Sequence, residues 1–139
     1  MRNLKRFELI EHTADIGVRA YGKTLPEAFA NAAYGMFSIM ADLEEVREID
    51  SRRVEVNADD IEGLLFEWLN SLLYYFDVEG LLFKRFDITE LGDKRLVADC
   101  SGEKYDPSRH HIKLGVKSAT YHMLSVDRAK NEVQVIFDV

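Results

Sequence analysis

Glu11-His12-Thr13-Ala14-Asp15-Ile16-Gly17 lies between two strand-like runs, with Phe7, Leu9 and Ile10 before it and Val18, Ala20 and Tyr21 after it. The apolar spacing on both sides predicts two β-strands. The connection between them is unusual. A solvated hairpin more usually turns on Asn-Gly or Asp-Gly, whereas here a carboxylate and an imidazole are framed by Thr, Ala and Ile. A half-buried carboxylate needs a hydrogen-bond donor, a cation or a metal. Asp15 is therefore expected to have a specific partner, and His12 is the nearest candidate in sequence.

Two helices follow from the spacing further along. The first spans Leu25 to Met40, with Thr24 and Glu27 placed as a capping box and Pro26 in the first turn, where its missing N–H costs little. Leu25, Ala28, Phe29, Ala32, Met36, Ile39 and Met40 form one apolar stripe. The second spans Asp60 to Phe76, with Asp59 as the expected cap and Ile61, Leu64, Leu65, Trp68, Leu69, Leu72, Leu73 and Phe76 recurring at three and four. Both stripes read as core. The remainder reads as strands: Arg53 to Asn57, then Leu82 to Leu91 and Arg95 to Glu103 around Gly92-Asp93. A long strand is expected from Val116 to Val126, and a last one from Asn131. In the long strand Lys117 and Tyr121 are expected on one face and His122 on the other. Strands at hairpin spacing with two well-separated helices predict an α+β fold, a mostly antiparallel β-sheet arrangement with two main α-helices packed on it.

Composition narrows the function. At 139 residues, 47% hydrophobic and 31% charged, the chain is expected to form one domain over residues 1–139. The single cysteine, Cys100, excludes an internal disulfide and suits a reducing, cytoplasmic setting; no apolar run reaches membrane-spanning length. A net charge of −7 with scattered Lys and Arg argues against direct nucleic-acid binding and for a basic protein partner or a cation. There is no phosphate-cradling glycine loop and no Gly-x-Ser-x-Gly elbow. Cys100 reads as a small core residue, and His110-His111 as solvated loop residues.

The end of the chain reads Val135-Ile136-Phe137-Asp138-Val139. With that strand held in a sheet, the Asp138 side chain and the terminal carboxylate of Val139 are neighbours. Joined by Asp15, they would make an all-oxygen site for a hard cation.

Three ordered segments resemble the archease family: Glu11-His12-Thr13-Ala14-Asp15-Ile16-Gly17, Val116-Lys117-Ser118-Ala119-Thr120-Tyr121-His122, and the closing Val135-Ile136-Phe137-Asp138-Val139. The first helix opening Thr24-Leu25-Pro26-Glu27-Ala28-Phe29 and the run Leu72-Leu73-Tyr74-Tyr75-Phe76-Asp77 extend the resemblance over essentially the whole chain. Ser118-Ala119, Phe137 and Val139 depart from the usual family residues, and none of these departures removes an ionisable group. The resemblance implies no enzyme in its own right but a protein cofactor of an RtcB-type tRNA-splicing RNA ligase, promoting its guanylylation and turnover and broadening its nucleotide use. RNA would be met only through the ligase. It further implies a divalent cation, calcium, held by Asp15, Asp138 and the main chain of Val139. Lys117 is the next functional residue, and His12 and His122 orient the cluster rather than bind metal, since a hard cation prefers oxygen. Two other readings compete: a chaperone or modulator of RNA- and DNA-processing proteins, and a metal-dependent hydrolase using Asp15, Asp138 and His122.

Overall fold

The computed structural model describes residues 5–12 and 15–139. The residues Thr13 and Ala14, expected to turn the first hairpin, lie outside the described residues, as does the side chain of His12. On either side of them β1 (Phe7–His12) and β2 (Asp15–Tyr21) pair antiparallel, from Phe7 opposite Ala20 to His12 opposite Asp15. On its other edge β2 pairs with the last strand, Glu132–Asp138, which closes a sheet between residues more than a hundred positions apart.

The second sheet is a three-stranded antiparallel unit. It comprises β3 (Asp50–Asn57), β4 (Leu81–Leu91) and β5 (Arg95–Lys104), with β5 in the middle. The expected Gly92 turn joins β4 to β5, with the Gly92 N–H donating to the Arg95 carbonyl at 2.9 Å. The architecture is α+β, as expected.

Between these strands run the two helices, α1 (Leu25–Met40) and α2 (Ile61–Glu79). The Thr24 hydroxyl accepts the Glu27 N–H, and the Glu27 carboxylate accepts the Lys23 N–H. The reciprocal cap thus closes one residue earlier than a strict capping box. In α2 the cap is Asp60 rather than Asp59: its carboxylate accepts the Gly63 N–H at 2.7 Å, because Asp60 keeps extended backbone while Ile61 begins the helix. The helix also runs a turn past Phe76 and ends at Gly80, whose φ of 71° is the left-handed conformation glycine adopts without a Cβ penalty.

Helix α1 packs against β1, β2 and the last strand on one side and against β4 on the other, which explains why so much of its surface is buried. Helix α2 covers the three-stranded sheet. The two helices are tied where the buried Trp68 indole N–H donates to the Phe29 carbonyl at 3.0 Å. Phe37, Phe83, Phe86 and Trp68 meet ring to ring in the shared core, each buried. Burying one such ring stabilises the fold by about 2–3 kcal/mol.

One expected strand is broken. The stretch Val116 to Val126 forms two short strands, β6 (Ser118–Ala119) and β7 (Ser125–Asp127), both pairing with the last strand, β8. From Ala119 to Ser125 the chain advances six residues while β8 advances three, so three residues are extruded. In the excursion the Tyr121 ring stacks on Phe66 of α2 with centroids 4.2 Å apart. Met123 takes a φ of 56° to complete the excursion. The expected alternation of Lys117 and Tyr121 against His122 therefore does not hold: period-2 reasoning requires continuous strand. The first sheet has the order β1-β2-β8-β6, with β7 on the same edge of β8.

Candidate functional site: a carboxylate row at one end of the first sheet

The register of β2 against β8 sets Ile16 opposite Phe137. Continued by one residue, it sets Asp15 opposite Asp138. His12 is opposite Asp15 on one side, and Ser118 is opposite Asp138 on the other. Four strands therefore present His12, Asp15, Asp138 and Ser118 as one cross-strand row. Residues directly opposite in an antiparallel sheet have Cα atoms about 4.5–5.5 Å apart and share a face.

The face follows from burial. Val18, Ala20, Val133, Val135 and Phe137 are fully buried against α1. Alternation then places Asp15 and Asp138 on the opposite face, where Arg19 and Gln134 are joined at 2.7 Å. Asp138 and Val139 are exposed and Asp15 is half-buried.

Gly17 makes this row possible. A Cβ there would lie 2.5 Å from Ile136 Cδ1 and 2.8 Å from the Val135 carbonyl oxygen. With glycine in β2, Ile136 lies over the β2 backbone, and the two strands stay in register up to the carboxylates.

Lys117 is brought to the same place by its main chain, its N–H donating to the Asp138 carbonyl at 2.8 Å. The Ser118 hydroxyl lies 3.4 Å from Asp138 Oδ2, a weak contact. His122 is exposed in the excursion between Tyr121 and Met123. Sequence reasoning did not single out Ser118 or Gly17; a small residue beside a strand-borne Asp is a signal only once the strand pairing is known.

The donor set tests the implied cation. Asp15 and Asp138 supply carboxylate oxygen, and Val139 follows with a main-chain oxygen, a set that suits a hard divalent ion. Among the described residues no three His, Cys, Asp or Glu side chains group closely enough to hold a metal. A cation here would rest on two carboxylate side chains, with main-chain oxygen and water completing its shell. Like charges directly opposite across strands destabilise a sheet unless something neutralises them.

A second titratable cluster, which the sequence did not reveal, lies on the three-stranded sheet. Glu103 is buried at 3% exposure, and its carboxylate accepts from the Arg47 N–H (2.8 Å), Arg47 Nε (3.1 Å), Arg109 Nη1 (2.9 Å) and His110 Nε2 (2.9 Å). The Arg109 hydrogen bond leads in holding the Glu103 carboxyl far below the usual carboxylate range, with the Arg47 and His110 contacts adding to it and burial opposing it. His110 Nδ1 accepts the Asp106 N–H at 2.9 Å, which fixes the proton on Nε2. Both ring nitrogens are thus engaged, and the pair has no free position from which to activate a nucleophile. The expectation of two solvated histidines holds for His111 and fails for His110. The segment after β5 folds back on the sheet and buries His110, an outcome set by contacts distant in sequence.

Cys100 is the core residue expected: it is fully buried, and burial pushes its thiol up to about 12, with Asp99 and Asp87 adding to the shift. A thiol held so far from ionisation is not a nucleophile at neutral pH. No helix among the described residues is long and apolar enough to cross a membrane.

With this geometry in place, comparison with known proteins is informative. A model of the archease protein family matches residues 7–139. A protein archease of Sulfurisphaera tokodaii is 41% identical over 138 residues, covering 98% of this chain and 99% of its own. One of Pyrococcus abyssi is 43% identical over 129 residues, 90% of each. The solution structure of Methanobacterium thermoautotrophicum protein 1598 superposes with a TM-score of 0.78 at 35% identity, covering 98% of this chain and 100% of that one. The crystal structure of a Thermotoga maritima archease, described as a possible chaperone, shares the fold with a TM-score of 0.58 at 22% identity over the full length of both chains.

Proposed function

The chain belongs to the archease family, and on that premise we propose that it is a protein activator of an RtcB-type tRNA-splicing RNA ligase, raising the ligase's guanylylation and turnover and broadening the nucleotides it accepts. The observation that carries the reading is the Asp15–Asp138 row, with Lys117 anchored on Asp138 by its main chain. Asp15, Asp138 and the main-chain oxygen of Val139 would hold a divalent cation, calcium. A bound cation of this kind supplies charge neutralisation and a Lewis-acidic centre facing the partner.

The chain's own residues do the rest. Gly17 and Ile136 keep β2 and β8 in register at the carboxylates, and Lys117 stands beside them as a donor to an anionic group on the partner. His12 and His122 orient the cluster. The net charge of −7 attracts a partner that is basic where it meets RNA and nucleotide. Activation follows only if the complex favours the guanylylation-competent state of the ligase over its resting state.

The test is guanylylation of purified ligase with GTP, with and without this protein over a range of ratios. A rate increase that Asp15→Asn and Asp138→Asn abolish, while both variants keep the native circular dichroism, supports the reading. Equal rates with and without the protein overturn it. Suppression of aggregation for unrelated proteins, insensitive to both substitutions, would instead favour the chaperone reading, the role that the description of the Thermotoga maritima archease suggests for that protein.

A further inference from the structure

Strands β2 and β8 carry carboxylates at one end, and the segments flanking their other end, roughly 20 Å away over the length of a seven-residue strand, supply a set of cations. At that far end a cleft of about 840 Å³ opens between the start of β1, the Gly22-Lys23 turn into α1 and the turn before β8. Lys5, Arg6, Lys23 and Lys130 line it, with Ala30 and Phe86 among its apolar lining residues. For a chain with 25 acidic and 18 basic residues this convergence of charge is anomalous.

The cations are also unspent. Among the described residues every arginine but Arg6 has a carboxylate within 4.0 Å. Arg6 is nevertheless held: its Nε donates to Asn31 Oδ1 at 3.0 Å, and its Cζ lies 3.7 Å from the centre of the Tyr34 ring. Asn31 is itself buried and fixed by donating to the Tyr21 carbonyl at 2.6 Å. A guanidinium oriented through Nε and its face keeps both Nη groups for an anion, the bidentate arrangement that suits phosphate. Lys5 shares an exposed 3.5 Å contact with Glu8. The opposing charge in the lining is Glu27, occupied by the Lys23 N–H.

We propose that this cleft binds a nucleoside polyphosphate, its phosphates on Arg6, Lys23 and Lys130 and its base against the apolar wall at Ala30. Three or more converging cations exceed what a single carboxylate requires and match a group carrying several charges. The volume falls within the range of small-molecule pockets, about 300–1,000 Å³. An extended nucleic acid fits less well, because beyond the cleft it would cross a predominantly acidic surface.

The test is a titration of the ¹⁵N-labelled full chain with ATP, tripolyphosphate, adenosine and a polyuridine tract, followed by NMR. EDTA in every sample removes any bridging by cations at the distant carboxylates. Saturable ATP shifts confined to residues around Arg6, Lys23, Ala30 and Lys130, with tripolyphosphate binding more weakly, support the proposal. Arg6→Gln combined with Lys130→Gln is expected to weaken ATP binding at least roughly tenfold. Glu27→Gln, which keeps an acceptor for the Lys23 N–H, is expected to tighten it. Absence of shifts up to roughly 5 mM ATP, the weak limit for a small ligand, overturns it. So does ATP affinity unchanged in the double variant, tripolyphosphate binding as tightly as ATP, or polyuridine binding in preference to both.

Discussion

Two carboxylate arrangements of opposite character coexist in this protein. Glu103 is buried and saturated, with two arginines and a histidine turned on it. Asp138 is exposed, opposite a second carboxylate, with a hydroxyl at 3.4 Å as its side-chain contact. The first has spent its charge on holding a segment of chain to a sheet. The second keeps its charge directed outward. A strongly shifted carboxylate is often taken to mark an active site; in this molecule the shift at Glu103 marks a structural tie, and the proposed functional pair is identified through strand register instead.

The largest effect expected from this contrast is on folding. Glu103→Ala leaves two arginines facing a buried void and should cost about 3–5 kcal/mol in urea denaturation. A loss near zero would mean that the cluster is not a tie. The same group sets a pH dependence. Its folded-state ionisation lies below that of the unfolded chain, so its stabilisation is complete above the usual glutamate range and is lost as pH falls through the folded-state value. The stability gap between the native protein and Glu103→Gln should therefore be constant from neutrality down to about pH 5 and shrink below it. A gap that widens on acidification would contradict the assignment.

Gly17→Ala should come next, at about 1–3 kcal/mol, since the new Cβ meets both Ile136 and the Val135 carbonyl. It sharpens the comparison because the strain falls on the register that holds Asp15 opposite Asp138. Calcium affinity by calorimetry should fall along with stability. Asp138→Asn should leave stability within about 0.5 kcal/mol, since no buried partner is stranded, while reducing calcium affinity at least roughly tenfold. If it destabilised the protein as much as Glu103→Ala does, the distinction between the two carboxylates would collapse. The smallest expected effect is at Cys100: the native protein should resist alkylation at pH 8 and react only on unfolding.

Much of the fold is legible in the sequence. The Thr24 cap, the apolar stripes of α1 and α2, the Gly92 turn and the edges of β4 and β5 depend on neighbours a few residues away, where spacing carries the information. The misreadings have two causes. Asp60 displaced Asp59 as cap by a single residue of backbone geometry. The long strand breaks where Tyr121 stacks on Phe66, and His110 is buried because the segment after β5 folds back onto Glu103. The strand break and the burial of His110 were decided by residues outside the local window, the cap by backbone geometry that spacing does not fix. For the proposed site, Asp15 and Asp138 were readable as an oxygen-donor pair, yet nothing in their spacing required them to meet. Ser118 and Gly17 stand in the ordered motifs without a role that spacing could give them, and the cation-lined cleft joins segments too distant in sequence to be legible.

The sequence by itself determined the helices, most strands, the α+β class and the family to which the chain is similar, because local periodicity and ordered motifs are properties of the chain taken in order. Tertiary structure alone decided which strand would lie on the other edge of β2. β8 arrives there and carries Asp138 into the row of backbone positions that already holds His12 and Asp15. Strand order and register are set by how the whole apolar face packs on α1, and no stretch of sequence encodes that packing alone.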